Sequence, residues 1–429
     1  MRGLTPSTSP QYSNYLPDEL LLEILSYLPT GREGQHVLAA FCLVSRQWYD
    51  IAIDHLYADP YLSGSAYALF VRTICPSINL HIRKSALASL VRTLDLSHIV
   101  HQGNKATTAR LLARTKASLE VFVAPQASFA INCWASMAKC TKLRILDLSL
   151  VSEAINYQAF DRTIRQLRVM EEIYLPRCSS SYDALGVGMH VQWPPRLRHL
   201  HLSGSVHGKF LWDMINQPNR FPGTMSSIAF SHCPMLGPSS LKSLMCGSAH
   251  LLRRVTLTAL PRVQLGDIDD ILTWLPLLTD LTVSLSYLSH DFAVIPHSYS
   301  YSYPGSLEMH TLGPPLEKLT LSSPNSSTSS PSDLDEMFDA VDLFTLLDER
   351  WLARLRYIRV ARCAGWESGQ VPEVAAVEGM LLDVDRENWE GRRWHYADIG
   401  EMGRVGYEEW RASEKGRGSG AWLRVVGGL

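Results

Sequence analysis

Cysteine is scarce in this chain, with eight residues in 429 and no paired spacing. That excludes a disulfide framework and points to reduced thiols, in cytosol or nucleus. Neither sign of charge is in excess: 40 basic residues face 42 acidic ones, for a net charge of −2. Neither nucleic acid nor an anionic membrane is therefore expected as the main partner. No apolar run approaches the roughly 18 residues needed to span a bilayer. Residues 1–14 are rich in Ser, Thr and Pro, have no apolar secretory core, and read as a flexible tail.

Catalytic arrangements are also lacking. His98 and His101 lie three apart without a third ligand at metal spacing. Cys133 and Cys140 have no second pair, and Gly186-Val187-Gly188 lacks the strand–turn–helix setting of a nucleotide loop. No Gly-x-Ser-x-Gly elbow occurs. The expectation is a non-enzymatic chain with no metal and no cofactor.

What the chain has is a repeat. The spacing apolar-x-x-apolar-x-apolar reads Val91/Leu94/Leu96, Leu143/Leu146/Leu148, Met170/Ile173/Leu175, Leu197/Leu200/Leu202 and Met225/Ile228/Phe230. It continues as Leu252/Val255/Leu257, Leu278/Leu281/Val283, Leu316/Leu319/Leu321 and Leu355/Ile358/Val360. A degraded copy, Ser118 with Val121 and Val123, fills the gap after the first. The first eight starts lie 25 to 28 residues apart. A fixed period of this size marks stacked units. In each unit the first segment reads as a short parallel strand, with its apolar positions inward and the intervening ones toward solvent. The remainder returns the chain, mostly as helix: Phe160, Ile164 and Leu167 have that spacing, as do Leu241, Leu244 and Met245.

Two late intervals lengthen to 38 and 39 residues. Insertions at 284–312, containing a Ser/Tyr-rich stretch, and at 322–333, SSPNSSTSSPSD, account for the difference. The second cannot form a core. Segment 366–429 breaks the rhythm and carries five of eleven tryptophans. Two uses suit it, a cap on the last core layer or a separate binding element.

Ahead of the repeats, Leu16-Pro17-Asp18-Glu19-Leu20 opens a helix, with acidic residues where the helix dipole favours them. Leu20, Ile24 and Leu28 share one face, Leu21 and Leu25 lie beside it, and Pro29 stops the helix. Thr30 to Gly34 read as a polar link before a short second helix. Ser45 is the expected N-cap of a third. Three short helices cannot bury all this apolar surface on one another. The open face either docks a partner or packs on the first repeats.

The segment Leu16 to Leu28, followed by Leu43-Val44-Ser45-Arg46-Gln47-Trp48, resembles an F-box over residues 15–60. The array resembles leucine-rich repeats over 65–365, with Cys178, Cys233 and Cys363 each eight residues after a repeat start, as in the cysteine-containing subtype. The fold this implies is α/β: a three-helix F-box module, then a solenoid or horseshoe with parallel strands on its concave face and helices on its convex face. The resemblance implies docking to a Skp-type adaptor and, through it, a cullin-RING ubiquitin ligase. Leu16, Pro17, Leu20, Ile24, Leu25, Leu28, Val44 and Trp48 would form or support that surface. A protein target would lie on the solvent-facing strand side. The candidates there are Glu171, Glu172, Tyr174, Arg198, His199, His201, Arg253, Arg254, Arg356, Tyr357 and Arg359. The rival reading is a repeat scaffold, unconnected with degradation, whose N-terminal helices merely cap the solenoid.

Overall fold

The computed structural model describes residues 16–29, 31–77, 85–99, 104–176, 191–204, 214, 221–296, 313–323, 336–362, 366, 371–395, 406–413 and 420–427. The chain forms two compact units, Met1–Leu150 and Val151–Leu429.

The first unit runs α1 (Asp18–Ser26), α2 (Gly31–Phe41), α3 (Arg46–Ala58), α4 (Gly64–Ile74), β1 (Thr93–Asp95), α5 (Lys105–Thr115), β2 (Val121–Val123), α6 (Ile131–Met137) and β3 (Ile145–Asp147). Ser45 caps α3, accepting the Trp48 N–H at 3.3 Å. α2 starts at Gly31, so the expected polar link is its first turn. Gly34 is what allows this: a Cβ there would collide with the Pro29 carbonyl.

β1, β2 and β3 pair in parallel, with Leu94 beside Phe122 and Phe122 beside Leu146. That register corrects the second repeat by one residue. Its inward set is Leu119, Phe122 and Ala124, all fully buried, while Val121 and Val123 face the other way. In a strand a one-residue slip exchanges the two faces.

The second unit contains α7 (Tyr157–Ile164), β4 (Glu172–Tyr174), β5 (His199–Ser203), β6 (Ser227–Ser231), α8 (Pro238–Gly247), β7 (Arg254–Thr258), α9 (Ile271–Trp274) and β8 (Asp280–Ser284). It continues with β9 (Lys318–Ser322), α10 (Ala340–Asp348), β10 (Tyr357–Ala361), α11 (Val371–His395), α12 (Tyr407–Ala412) and β11 (Trp422–Val426). β4 to β11 pair in parallel in sequence order, as an open ladder. Ile173, Leu200, Ile228, Val255, Leu281, Leu319 and Ile358 form one unexposed core row through it. The residue before each strand repeats one bond: the N–H of Ser226 donates to Arg198, Arg253 to Ser226, and Thr279 to Arg253, at 2.7–3.0 Å.

Strands turn out through a left-handed residue at equivalent places, Gly204 (φ 66°), His232 (φ 54°) and Ala259 (φ 49°). Cys233, at the turn position expected for cysteine, is buried, and its thiol donates to the Leu202 carbonyl of the previous repeat at 3.5 Å. Cys178 and Cys363 lie outside the described residues. Burial pushes the Cys140 and Cys233 thiols up to about 12, so both act as packing groups, not nucleophiles.

The stretch expected as the first insertion begins with packed structure. Leu285, Tyr287, Leu288 and Phe292, on two 3-10 turns, are buried. The Ser/Tyr-rich stretch and the Ser/Pro segment lie outside the described residues from 297 to 312 and from 324 to 335. None of the described helices is long and apolar enough to cross a membrane.

Candidate functional sites: a helical docking face and a strand wall

Along α1 the apolar residues divide between two sides. Leu21 and Leu25 are buried, whereas Leu16 (36% exposed), Leu20 (51%) and Ile24 (39%) face outward. Val44 (61%) and its neighbour Leu43 (86%), between α2 and α3, are more open still. Pro17 is exposed and Leu28 half-buried. Trp48 is half-buried against Phe41, with ring centroids 4.4 Å apart. Of the eight residues expected at the adaptor surface, Leu25 is therefore internal core and Trp48 a partly covered support.

Gln47 fixes α1 to α3, donating to the Leu16 carbonyl and to Asp18 Oδ1, both at 2.7 Å. Contacts with the first repeat come from elsewhere on the module. The Arg92 N–H donates to the Ala58 carbonyl at the end of α3 (2.9 Å), Tyr57 stacks on Phe70 of α4, and Tyr61 meets His98 at 5.1 Å. The end of α3, with α4, thus covers the first strand layer and leaves the outer side of α1 open.

The second candidate is the side of the β4–β11 ladder opposite the core. The register aligns one outward row as Glu172, His199, Ser227, Arg254, Asp280, Lys318, Tyr357 and Trp422. A second row runs Tyr174, His201, Ala229, Thr256, Thr282, Thr320, Arg359 and Arg424. Four of the expected target-binding residues meet at one end. The Tyr174 hydroxyl donates to Glu172 (2.9 Å), and its ring lies 4.9 Å from His199 and 5.8 Å from His201. His199 Nδ1 bonds Ser227 Oγ at 2.7 Å, and His201 Nε2 bonds Ser231 Oγ at 2.8 Å. Burial pushes the His199 imidazole down to about 4, against the opposing pull of Glu172.

Mid-wall, Arg254 and Lys318 share one carboxylate, Asp280, at 3.3 and 3.8 Å. Glu171, Arg198, Arg253 and Arg356 sit one residue ahead of their strands, outside both rows. Arg356 instead reaches the fully buried Asp385 of α11 at 3.2 Å. Tyr357 and Arg359 lie at the far end beside Trp422 and Arg424 of β11. That strand escaped the sequence pattern because Gly420 occupies its first apolar position. One group of metal-type side chains converges among the described residues, His290, Asp339 and Asp342. There Asp339 and Asp342 form the capping box that starts α10, and Asp342 also pairs with His290 at 2.7 Å.

The F-box-like family matches residues 13–63, the three helices just described and their flanks. The F-box protein YDR306C of Saccharomyces cerevisiae is 31% identical over 250 residues, covering 58% of this chain. The chain spans about half the length of that relative, 50%. Protein pof5 of Schizosaccharomyces pombe is 27% identical over 273 residues, covering 62% of this chain and 73% of the relative. The chain carries an F-box-like module followed by a parallel ladder with the period of leucine-rich repeats. Among solved structures, a leucine-rich repeat protein from Bacteroides eggerthii aligns over 59% of this chain and 44% of its own, at 12% identity and a TM-score of 0.27. At that score the likeness bears no weight, and the repeat assignment rests on the ladder and its period.

Proposed function

We infer that this F-box protein is the target-recognition subunit of a Skp–cullin–F-box ubiquitin ligase, working in cytoplasm or nucleus. F-box domains in general dock a Skp-type adaptor, and they are generally non-catalytic. The observation that carries the reading is the open apolar face of Leu16, Leu20 and Ile24, held on a module whose α3 end meets the first repeat through other residues. A face free of intramolecular work on a small helical module suits a partner. The repeats would hold the target on the strand wall, a rigid row of polar, charged and aromatic side chains suited to protein recognition. Transfer would then gain from proximity, with target and ubiquitin carrier fixed on one assembly.

Co-expression with a Skp-type adaptor tests this. The full chain is expected to co-purify with the adaptor, and a Leu20→Asp/Ile24→Asp variant, folded by circular dichroism, is expected not to. An intact chain that fails to bind the adaptor would return the module to the role of a solenoid cap.

A further inference from the structure

The strand wall is electrically lopsided. On β4–β8 acids and bases alternate, and Asp280 answers both Arg254 and Lys318. Across β9–β11 the outward strand positions carry three cations, Lys318, Arg359 and Arg424, and no carboxylate. The fully buried Asp385 of α11 is engaged by Arg356, Tyr407 and the Ala421 N–H. Among the described residues neither Arg359 nor Arg424 makes a salt bridge, and Arg359 Nε is buried without a hydrogen-bond partner.

Both guanidinium groups lie over one indole. Arg424 is 4.6 Å and Arg359 5.8 Å from the Trp422 ring centroid, and Tyr357 meets the same ring at 5.5 Å. Stacking holds a guanidinium by its face and leaves its in-plane N–H donors free for a carboxylate fork. Two like charges sharing one ring repel each other, and an anion between them relieves that repulsion. Half-buried aromatic rings beside arginines, as Tyr357 and Trp422 are here, are the composition of a protein-binding hot spot.

We propose that the C-terminal end of the strand wall, built by Lys318, Tyr357, Arg359, Trp422 and Arg424, binds an acidic peptide segment of a protein partner. Carboxylates pair with the stacked arginines, and the peptide's apolar parts lie on the Trp422 and Tyr357 rings. The occupant follows from charge complementarity. Nucleic acid fits less well, because three cations on three strands make no phosphate track and the chain carries a net charge of −2. The inference deepens the reading of the strand wall as the target face and does not depend on adaptor docking.

The test is fluorescence anisotropy of a labelled polyglutamate peptide titrated with the full chain. Saturable binding that weakens with salt is expected. Arg359→Glu/Arg424→Glu should lose affinity on the order of ten-fold or more, and the milder Arg359→Gln/Arg424→Gln pair should follow in the same direction. Lys242→Glu, a charge change on α8 where Lys242 stacks 5.1 Å over Trp274, should bind as the unaltered chain does. No saturable binding, equal binding by the arginine variants, an equal loss in Lys242→Glu, or tighter binding of oligothymidylate would each overturn the proposal. Adaptor co-purification of the arginine variants separates the two claims. If the adaptor fails to bind while the peptide still does, the ligase reading falls and this surface stands.

Discussion

Single side chains in this fold carry constraints that can be measured. His199 is held neutral on the strand wall, its folded value pushed down to about 4 by burial. A depressed histidine leaves the unfolded chain binding the extra proton below its ordinary value near 6.5. Its contribution to stability is therefore full above that pH and is lost as pH falls toward 4. With its partial exposure discounted, the loss is at most roughly 2 kcal/mol. Thermal melts should show His199→Gln narrowing the stability gap between pH 7 and pH 4.5, and an unchanged gap would refute the assignment. Ala259 makes a second case, because it turns out of β7 with φ 49° where the equivalent Gly204 does so without a Cβ. Left-handed backbone costs an alanine about 1–2 kcal/mol, part of which glycine's greater unfolded freedom offsets. Ala259→Gly should raise stability by about 0.5–1 kcal/mol in urea titration. A loss would mean that the methyl group packs to advantage there. At this scale the sequence is legible where the apolar spacing is strong and misleading where it is weak. The β-branched Val121 and Val123 imitate an inward pair, yet Phe122 is the residue that enters the core.

Elements depend on how each layer covers its neighbour, and the last layer shows the cost of an open end. β11 adds a final strand with Leu423 and Val425 inward, and α11 and α12 flank it. Trp389, Tyr407 and Trp410 cluster with centroids 5.8–6.1 Å apart and join the two helices. Trp366 is fully buried. Asp385 fastens this cap: Oδ1 takes Arg356, and Oδ2 accepts from the Tyr407 hydroxyl at 3.0 Å and the Ala421 N–H at 3.2 Å. Removing one partner of a buried pair leaves the other charge uncompensated, at about 3 kcal/mol or more. Asp385→Ala should lower stability by that order and speed amide exchange in Trp422–Val426 selectively. Unchanged exchange there would show that the carboxylate does not hold the cap. Under the acidic-peptide proposal the two uses weighed for the C-terminal segment meet in one strand, whose half-buried Leu423 and Val425 follow the core row and whose other side presents Trp422 and Arg424. Sequence pattern could not disclose this, because Gly420 hides the repeat's first position and α11 and α12 lie between β10 and β11.

At the scale of the whole molecule the chain separates two kinds of surface. The N-terminal module keeps its apolar α1 face out of its contacts with the first repeat, and the ladder in the second unit has a polar face opposite its core. The F-box-like helices were legible through the Leu16–Leu28 and Leu43–Trp48 motif, whereas their apolar surplus alone left docking a partner and packing on the first repeats equally open. The strand wall was legible as a face, through the two-residue alternation, but not as a charge distribution, which needs the register that stacks Lys318, Arg359 and Arg424 together. The most direct test of the account is hydrogen exchange of the full chain with and without a Skp-type adaptor. New protection is expected in the segments holding Leu16 to Leu28 and Leu43 to Trp48, with β4 to β11 unchanged. Protection on the strand wall, with none on α1, would contradict it.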